Sequence, residues 1–456
     1  MKKSLMLVLP PVLALVITLV LIQIGWPEGR AMTLGITLLC AAWWISEAIP
    51  IPVTSLLPIA LFPLLGILSS AEVGQAYGSP LILLLLGGFI LSTALARNNA
   101  HKRIALGMVN LFGKHSDRSL VFGFMVASAV LSMWISNTAT TLMLLPVALA
   151  ILDSSSQKNL TRPLLLGIAY AASVGGIGTP IGTPPNLVFM KVYGDAVGEV
   201  PSFTEWMMWG LPVVVLFVPL IAIWLTRRLN GKGDYDLPEM GAWHIAEKRV
   251  LTVFLITALV WITRKEPFGG WSAWLDLPGA TDGSVALISV VVLFMISDGR
   301  GGRLLDWQTA NKIPWGVLLL FAGGIAIAKA FVVTGLSQII GDSLSNYVNL
   351  PLILLILVIA LSVTFLTEIT SNTATTTLLM PILAATAISA DLDPLLLMVP
   401  AAMSASCAFM LPVATAPNAV VFGSERLHVQ EMMREGVILN LIGAGVITTV
   451  CALLLG

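Results

Sequence analysis

Ser136-Asn137-Thr138-Ala139-Thr140-Thr141 recurs letter for letter as Ser371-Asn372-Thr373-Ala374-Thr375-Thr376. Each copy is preceded by a hydroxyl at i−4 from its serine, Ser132 in the first and Thr367 in the second. That spacing puts both oxygens on one helix face. A second pair lies downstream, where Pro180-Ile181-Gly182-Thr183-Pro184-Pro185-Asn186 parallels Pro412-Val413-Ala414-Thr415-Ala416-Pro417-Asn418. Neutral side-chain oxygens, joined by carbonyls that a broken helix releases, suit a small hard cation. A Ser-Asn-Thr turn that starts a helix also presents free N–H groups and partial positive charge, which suit a carboxylate. Two such tips face to face would grip both ends of a dianion without a buried arginine. The loops Gly182-Thr183 and Ala414-Thr415 would then complete two pseudo-symmetric cages.

A lone Ser-Asn-Thr is more often a helix cap than a site. Here two polar motifs per half fall inside apolar sequence, where unsatisfied groups are costly, and that favours function. An enzyme is disfavoured. His101, His115, His244 and His428 lie between the apolar spans without metal-ligand spacing, and neither tip has an adjacent histidine base. A channel fits less well than a carrier, because a repeated pair of unlike halves suits alternating access.

The elements that must position these motifs are membrane helices. The 456 residues are 57% hydrophobic and only 11% charged, too few charges to cover a water-facing surface. Formal net charge is zero, so no nucleic-acid partner is implied. Hydropathy gives spans near 5–24, 31–48, 53–68, 79–96, 206–226, 249–263, 284–297, 314–334 and 436–455. Two further helices, near 163–193 and 394–423, are interrupted by Gly, Pro and Thr. Segments 119–152 and 351–389 are apolar but polar in the middle. Half of the first is about 15 residues, or about 22 Å, short of the roughly 30 Å hydrocarbon core. Such halves enter and leave by one side as re-entrant hairpins. The expectation is an all-α integral membrane protein with about eleven transmembrane helices and two re-entrant hairpins. No cleavable signal is read at the start, since Pro10-Pro11 interrupts the first apolar run.

Charge supports this count. Of the 24 Lys and Arg, nineteen fall on the side of Lys2 and Lys3, four on the other and Lys329 within a span. Basic residues favour cytoplasmic loops, so the N-terminus is expected in the cytoplasm and the C-terminus outside. The repeat offsets stay between 232 and 236, with Leu86-Gly87-Gly88-Phe89 matching Ala322-Gly323-Gly324-Ile325 and Pro80 matching Pro314. Five spans separate the hairpins, and an odd number inverts the second half, so both tips would meet near the bilayer centre. Residues 101–117 read as an interfacial amphipathic helix and 230–246 as a polar cytoplasmic connection.

With both tips in place, the chain resembles the divalent-anion:sodium symporter family of dicarboxylate and sulfate carriers. The stretch Trp44-Ile45-Ser46-Glu47-Ala48-Ile49-Pro50-Ile51-Pro52-Val53-Thr54-Ser55-Leu56-Leu57-Pro58 belongs to the resemblance. So does Ala405-Ser406-Cys407-Ala408-Phe409-Met410-Leu411-Pro412-Val413-Ala414-Thr415-Ala416-Pro417-Asn418-Ala419-Val420-Val421. The likeness covers nearly the whole chain and implies a multi-pass homodimer of the inner (plasma) membrane. A scaffold would hold the dimer while a transport domain carries the site across as an elevator. Scaffold helices and the interfacial helix would occupy 1–118, a first half of the transport domain 119–229, further scaffold helices 230–350, and the second half of the transport domain 351–456. Ser132, Ser136, Asn137 and the Gly182 carbonyl would bind one Na+. Thr367, Ser371, Asn372 and the Ala414 carbonyl would bind another. Asn137, Thr138, Asn372 and Thr373 would contact substrate carboxylates, with Thr183 and Thr415 nearby. Sodium would order the tips before substrate binds. No basic residue stands at either cage, which favours symport over exchange. C4-dicarboxylates (succinate, fumarate, malate) are expected, with sulfate, citrate or sodium-independent exchange as alternatives.

Other polar residues have plainer readings. Glu368 is an intramembrane carboxylate, open to cation tuning or structural pairing. Lys329 reads as a snorkelling side chain, and Glu47 as structural or interfacial at a span end. Cys40, Cys407 and Cys451 read as reduced packing residues.

Overall fold

A computed structural model describes residues 2–112, 116–154, 158–231, 235, 241–266, 268–345 and 350–456. These residues are helical, with no strand among them beyond an isolated bridge between Ser297 and Arg303. The first half contains α1 (Lys2–Gln23), α2 (Glu28–Ser46), α3 (Ile51–Thr54), α4 (Leu56–Leu64), α5 (Ser70–Tyr77), α6 (Pro80–Arg97) and α7 (Ala100–Phe112). There follow a hairpin of α8 (Asp117–Ser132) and α9 (Asn137–Ser154), a broken helix of α10 (Thr161–Gly175) and α11 (Pro184–Val197), and the long α12 (Phe203–Thr226). The second half opens with α13 (Ile245–Ile262), α14 (Gly270–Trp274), α15 (Asp282–Met295), α16 (Trp307–Ala310), α17 (Trp315–Val333) and α18 (Leu336–Ser345). Its hairpin is α19 (Leu352–Thr367) and α20 (Asn372–Ser389), its broken helix α21 (Leu395–Ser404) and α22 (Ala416–Phe422), and its long helix α23 (Val429–Leu455).

Every expected span has a helix, and both hairpins turn at the Ser-Asn-Thr motifs. Among the described residues, five helical stretches are long and apolar enough to cross a bilayer by length and composition, namely 5–23, 70–97 (α5 with α6), 203–226, 315–333 and 429–455. The hairpin arms have 16 and 18 residues in each half, about 24 and 27 Å of helix. Large apolar side chains stay exposed along the outer helices, as at Leu15 (60%), Val215 (66%), Ile223 (66%) and Ile288 (65%). Water would penalise that surface, and lipid does not.

Three features depart from the sequence reading. The span expected at 53–68 is broken at Ser55, because Pro58 has no N–H to offer the Thr54 carbonyl. Ser55 occupies the break, donating to the Ile51 carbonyl (2.8 Å) and accepting from Trp44 Nε1 (3.1 Å). Helix α18, ten residues long, was not anticipated, although it lies one repeat offset from α7. The interfacial helix is described over Ala100–Phe112, and residues 113–115 of that expectation lie outside the described residues, as do 232–234 and 236–240 of the 230–246 connection.

The two halves interlock. Helices α8, α10 and α12 pack together, and so do α19, α21 and α23. Across the halves α11 packs on α20, α22 on α9, and α10 on α22. Around them α6 packs on α15 and α17 on α4 and α5. The α6–α15 approach depends on Gly87, where a Cβ would fall 2.4 Å from that of Ala286. An aromatic column braces the first tip. Trp134 stacks on Phe203 (centroids 6.1 Å) and meets Phe254 edge-on (5.3 Å), while Phe203 stacks on Trp261 (5.2 Å).

Candidate cation and anion site

Both tips and both downstream loops open onto one cavity of about 1010 Å³. Ser136, Asn137, Thr138, Gly182 and Thr183 line it from the first half, and Ser371, Asn372, Thr373, Ala414 and Thr415 from the second. Ser132 and Thr367 are wholly buried just behind the tips.

The buried hydroxyls show how each tip is held. Ser132 Oγ lies 2.6 Å from Asn137 Oδ1 and 2.6 Å from the Ala172 carbonyl. Thr367 Oγ1 lies 2.8 Å from Asn372 Oδ1 and 3.0 Å from the Ala405 carbonyl. The two triads correspond residue by residue through the repeat. A hydroxyl carries one proton, so it satisfies one of its two acceptors. Each half therefore gathers three oxygens around one hydroxyl proton, with the Ala172 carbonyl also accepting the Gly176 N–H, and a cation would stabilise such a cluster. Gly182 approaches the first cluster through Gly176. A Cβ on Gly176 would sit 2.8 Å from Asn137 Oδ1 and 3.2 Å from the Gly182 carbonyl.

Helix starts complete the anion side. Ser136 Oγ accepts the Ala139 N–H (3.2 Å), capping α9, whereas the Ser371 side chain makes no cap bond on α20. Thr415 Oγ1 accepts the Asn418 N–H (3.2 Å) at the start of α22, while Thr183 stands at the start of α11 without a side-chain cap bond. Pro184 and Ala416-Pro417 open those helices with φ already suited to the first turn.

Two residues of the repeated motifs have a role the sequence did not reveal. Asn186 Nδ2 donates to the carbonyls of Gly176 (2.9 Å) and Thr179 (2.7 Å). Asn418 Nδ2 donates to those of Ala408 (3.0 Å) and Leu411 (3.0 Å). Each amide bridges its break and takes up carbonyls that the interrupted helix leaves without an intrahelical donor. The matching Pro-x-x-Thr-x-Pro-Asn spacing was the available signal. Glu47 and Lys312, both exposed, line the same cavity. Lys312 is its one basic residue among the described residues. Lys329 faces Glu72 (3.5 Å) and Gln75 (3.4 Å).

An all-helical membrane protein whose repeated halves bring polar, broken helices to one cavity is built as a secondary carrier. The family described as "Sodium:sulfate symporter transmembrane region" matches residues 1–455. The "Sodium-dependent dicarboxylate transporter SdcS" of Staphylococcus saprophyticus is 41% identical, over 97% of this chain and 90% of that one. Its Staphylococcus aureus counterpart is 40% identical over 97% and 89%. Among solved structures, the Alcanivorax borkumensis YdaH transporter matches in fold alone, with a TM-score of 0.57 and 15% identity over 85% of this chain and 87% of that one. This chain belongs to the sodium:sulfate symporter family and is a membrane transporter, not an enzyme.

Proposed function

We propose that this protein is a sodium-coupled symporter of C4-dicarboxylates. The observation that carries the reading is the matched pair of oxygen clusters, Ser132–Asn137–Ala172 and Thr367–Asn372–Ala405, behind two helix starts on one cavity. Ser132, Ser136, Asn137 and the Gly182 carbonyl hold one Na+. Thr367, Ser371, Asn372 and the Ala414 carbonyl hold the other. Asn137, Thr138, Asn372 and Thr373 grip the two carboxylates, with Thr183 and Thr415 beside them. Two grips at opposite ends suit a linear dianion better than compact sulfate. The sodium-dependent dicarboxylate transporters named above, at 40–41% identity, support the same substrate class.

The proposed mechanism is an elevator. Residues 119–229 and 351–456 move as one transport domain, which the packing of α11 on α20 and α22 on α9 supports. Residues 1–118 and 230–350 form the scaffold and hold a homodimer. Eleven crossings and two re-entrant hairpins put the N-terminus in the cytoplasm and the C-terminus outside, as the distribution of Lys and Arg supports. On that assignment the cavity mouth at Glu47 and Lys312 faces inward. The test is competition for sodium-driven uptake of labelled succinate into proteoliposomes. Excess fumarate and malate should suppress it and sulfate should not. Suppression by sulfate, with none by fumarate, would overturn the substrate class.

A further inference from the structure

The two halves differ at one buried position beside the cages. Three residues before the second-tip serine stands Glu368, and three before the first-tip serine stands Met133. Met133 packs on the first break, where a Cβ on Gly178 would touch its side chain at 3.0 to 3.3 Å. Glu368, 4% exposed, does something else. Its Oε1 accepts the N–H groups of Phe409 (2.7 Å) and Met410 (2.9 Å), and its Oε2 that of Leu411 (3.1 Å). Asn440 Nδ2, from α23, donates to Oε1 as well (2.8 Å). Those three backbone donors lie in the loop between α21 and α22, ahead of Ala414-Thr415, where no helix supplies their acceptors.

The partners around Glu368 are four donors, which suits a carboxylate that only accepts. Neither Lys nor Arg is among them. The Phe409 carbonyl is fixed separately by the Tyr170 hydroxyl (2.7 Å), and the Leu411 carbonyl by Asn418. Segment 409–411 is thus pinned from both sides, and the carboxylate supplies all of its N–H acceptors. Glu368 also follows Thr367 directly, whose hydroxyl belongs to the second oxygen cluster.

We propose that Glu368 is a positioning residue for the second cation cage, and that the first cage has no equivalent. Its carboxylate locks backbone 409–411, the segment that leads to Ala414, whose carbonyl the two-cage reading assigns to this cage. Its charge, balanced in the protein only by N–H dipoles, also raises the affinity of that cage for sodium. The inference rests on the two-cage reading above and goes beyond it by making the cages unequal.

The experiment follows the unfolding temperature of the purified full-length protein, without substrate, as NaCl replaces KCl at constant ionic strength. Wild type should be stabilised by sodium. In E368Q the sodium concentration for half the effect should rise about tenfold, or about 1.4 kcal/mol. E368D, which keeps the charge on a shorter arm, should fall between. A purely structural role would lower the unfolding temperature at every sodium concentration and leave the half-point alone, and that result overturns the proposal while the cages stand. Absence of any sodium effect in wild type would overturn the cages and this inference together. Should E368Q not fold, E368D carries the test, and a wild-type half-point in it counts against the proposal.

Discussion

Thr367→Val is the perturbation that probes the second oxygen cluster with least disturbance to packing. Valine has nearly the shape of threonine, so the buried volume at Thr367 is kept while the hydroxyl donor shared by Asn372 Oδ1 and the Ala405 carbonyl is lost. What disappears is the oxygen 2.8 Å from Asn372 Oδ1 and 3.0 Å from the Ala405 carbonyl. An oxygen that meets a full charge is worth about 1.5–3 kcal/mol, a factor of roughly 10 to 150 in affinity. The sodium concentration for half-maximal succinate uptake should therefore rise at least about tenfold. Sodium and substrate are linked, so the apparent succinate affinity should fall at limiting sodium and recover at saturating sodium. Ser132→Ala should act in the same direction, because its oxygen lies 2.6 Å from both of its partners. The assay is initial-rate uptake into proteoliposomes across a sodium series, at low and saturating succinate. A half-saturation for sodium within twofold of wild type in both variants would refute the oxygen-cluster argument.

Asn137→Ala or Asn372→Ala should abolish uptake and leave a folded, membrane-inserted protein, read by uptake and by size-exclusion profile. Gly182→Ala should cut uptake at least about tenfold, since its Cβ would fall 2.4 Å from the Gly176 carbonyl and overpacking of a break costs about 1–3 kcal/mol. Arg264→Leu should destabilise the protein by about 3–5 kcal/mol, seen as a lower unfolding temperature. That arginine pairs with the largely buried Asp282 through Nη2 at 3.1 Å and also holds the Ala280 carbonyl at 3.1 Å. Lys312→Gln, at the cavity mouth, should slow uptake severalfold at low ionic strength and little at high salt, because it removes a long-range attraction for the anion.

The tips were legible in the sequence because the repeat is literal there and because polar residues inside apolar segments demand a partner. The hydroxyls Ser132 and Thr367 were legible from helical spacing, which does not depend on tertiary contacts. The work of Asn186 and Asn418 was half visible. The motif repeated, but only packing shows that each amide bridges its own break. The partners of Glu368 were not legible at all, since Phe409, Met410, Leu411 and Asn440 lie 41 to 72 positions away. Helix α18 was missed because its sequence mixes Ser, Gln, Gly and Asp among few apolar residues, although the repeat offset from α7 pointed to it. The break at Ser55 escaped because hydropathy averages across a proline.

Coupling is tested most directly by loading proteoliposomes without internal dicarboxylate and measuring labelled succinate entry under an inward sodium gradient, then under an equal potassium gradient. The two-cage account predicts accumulation with sodium and none with potassium. Equal entry under both, appearing only when dicarboxylate is placed inside, would contradict it and make the protein an exchanger.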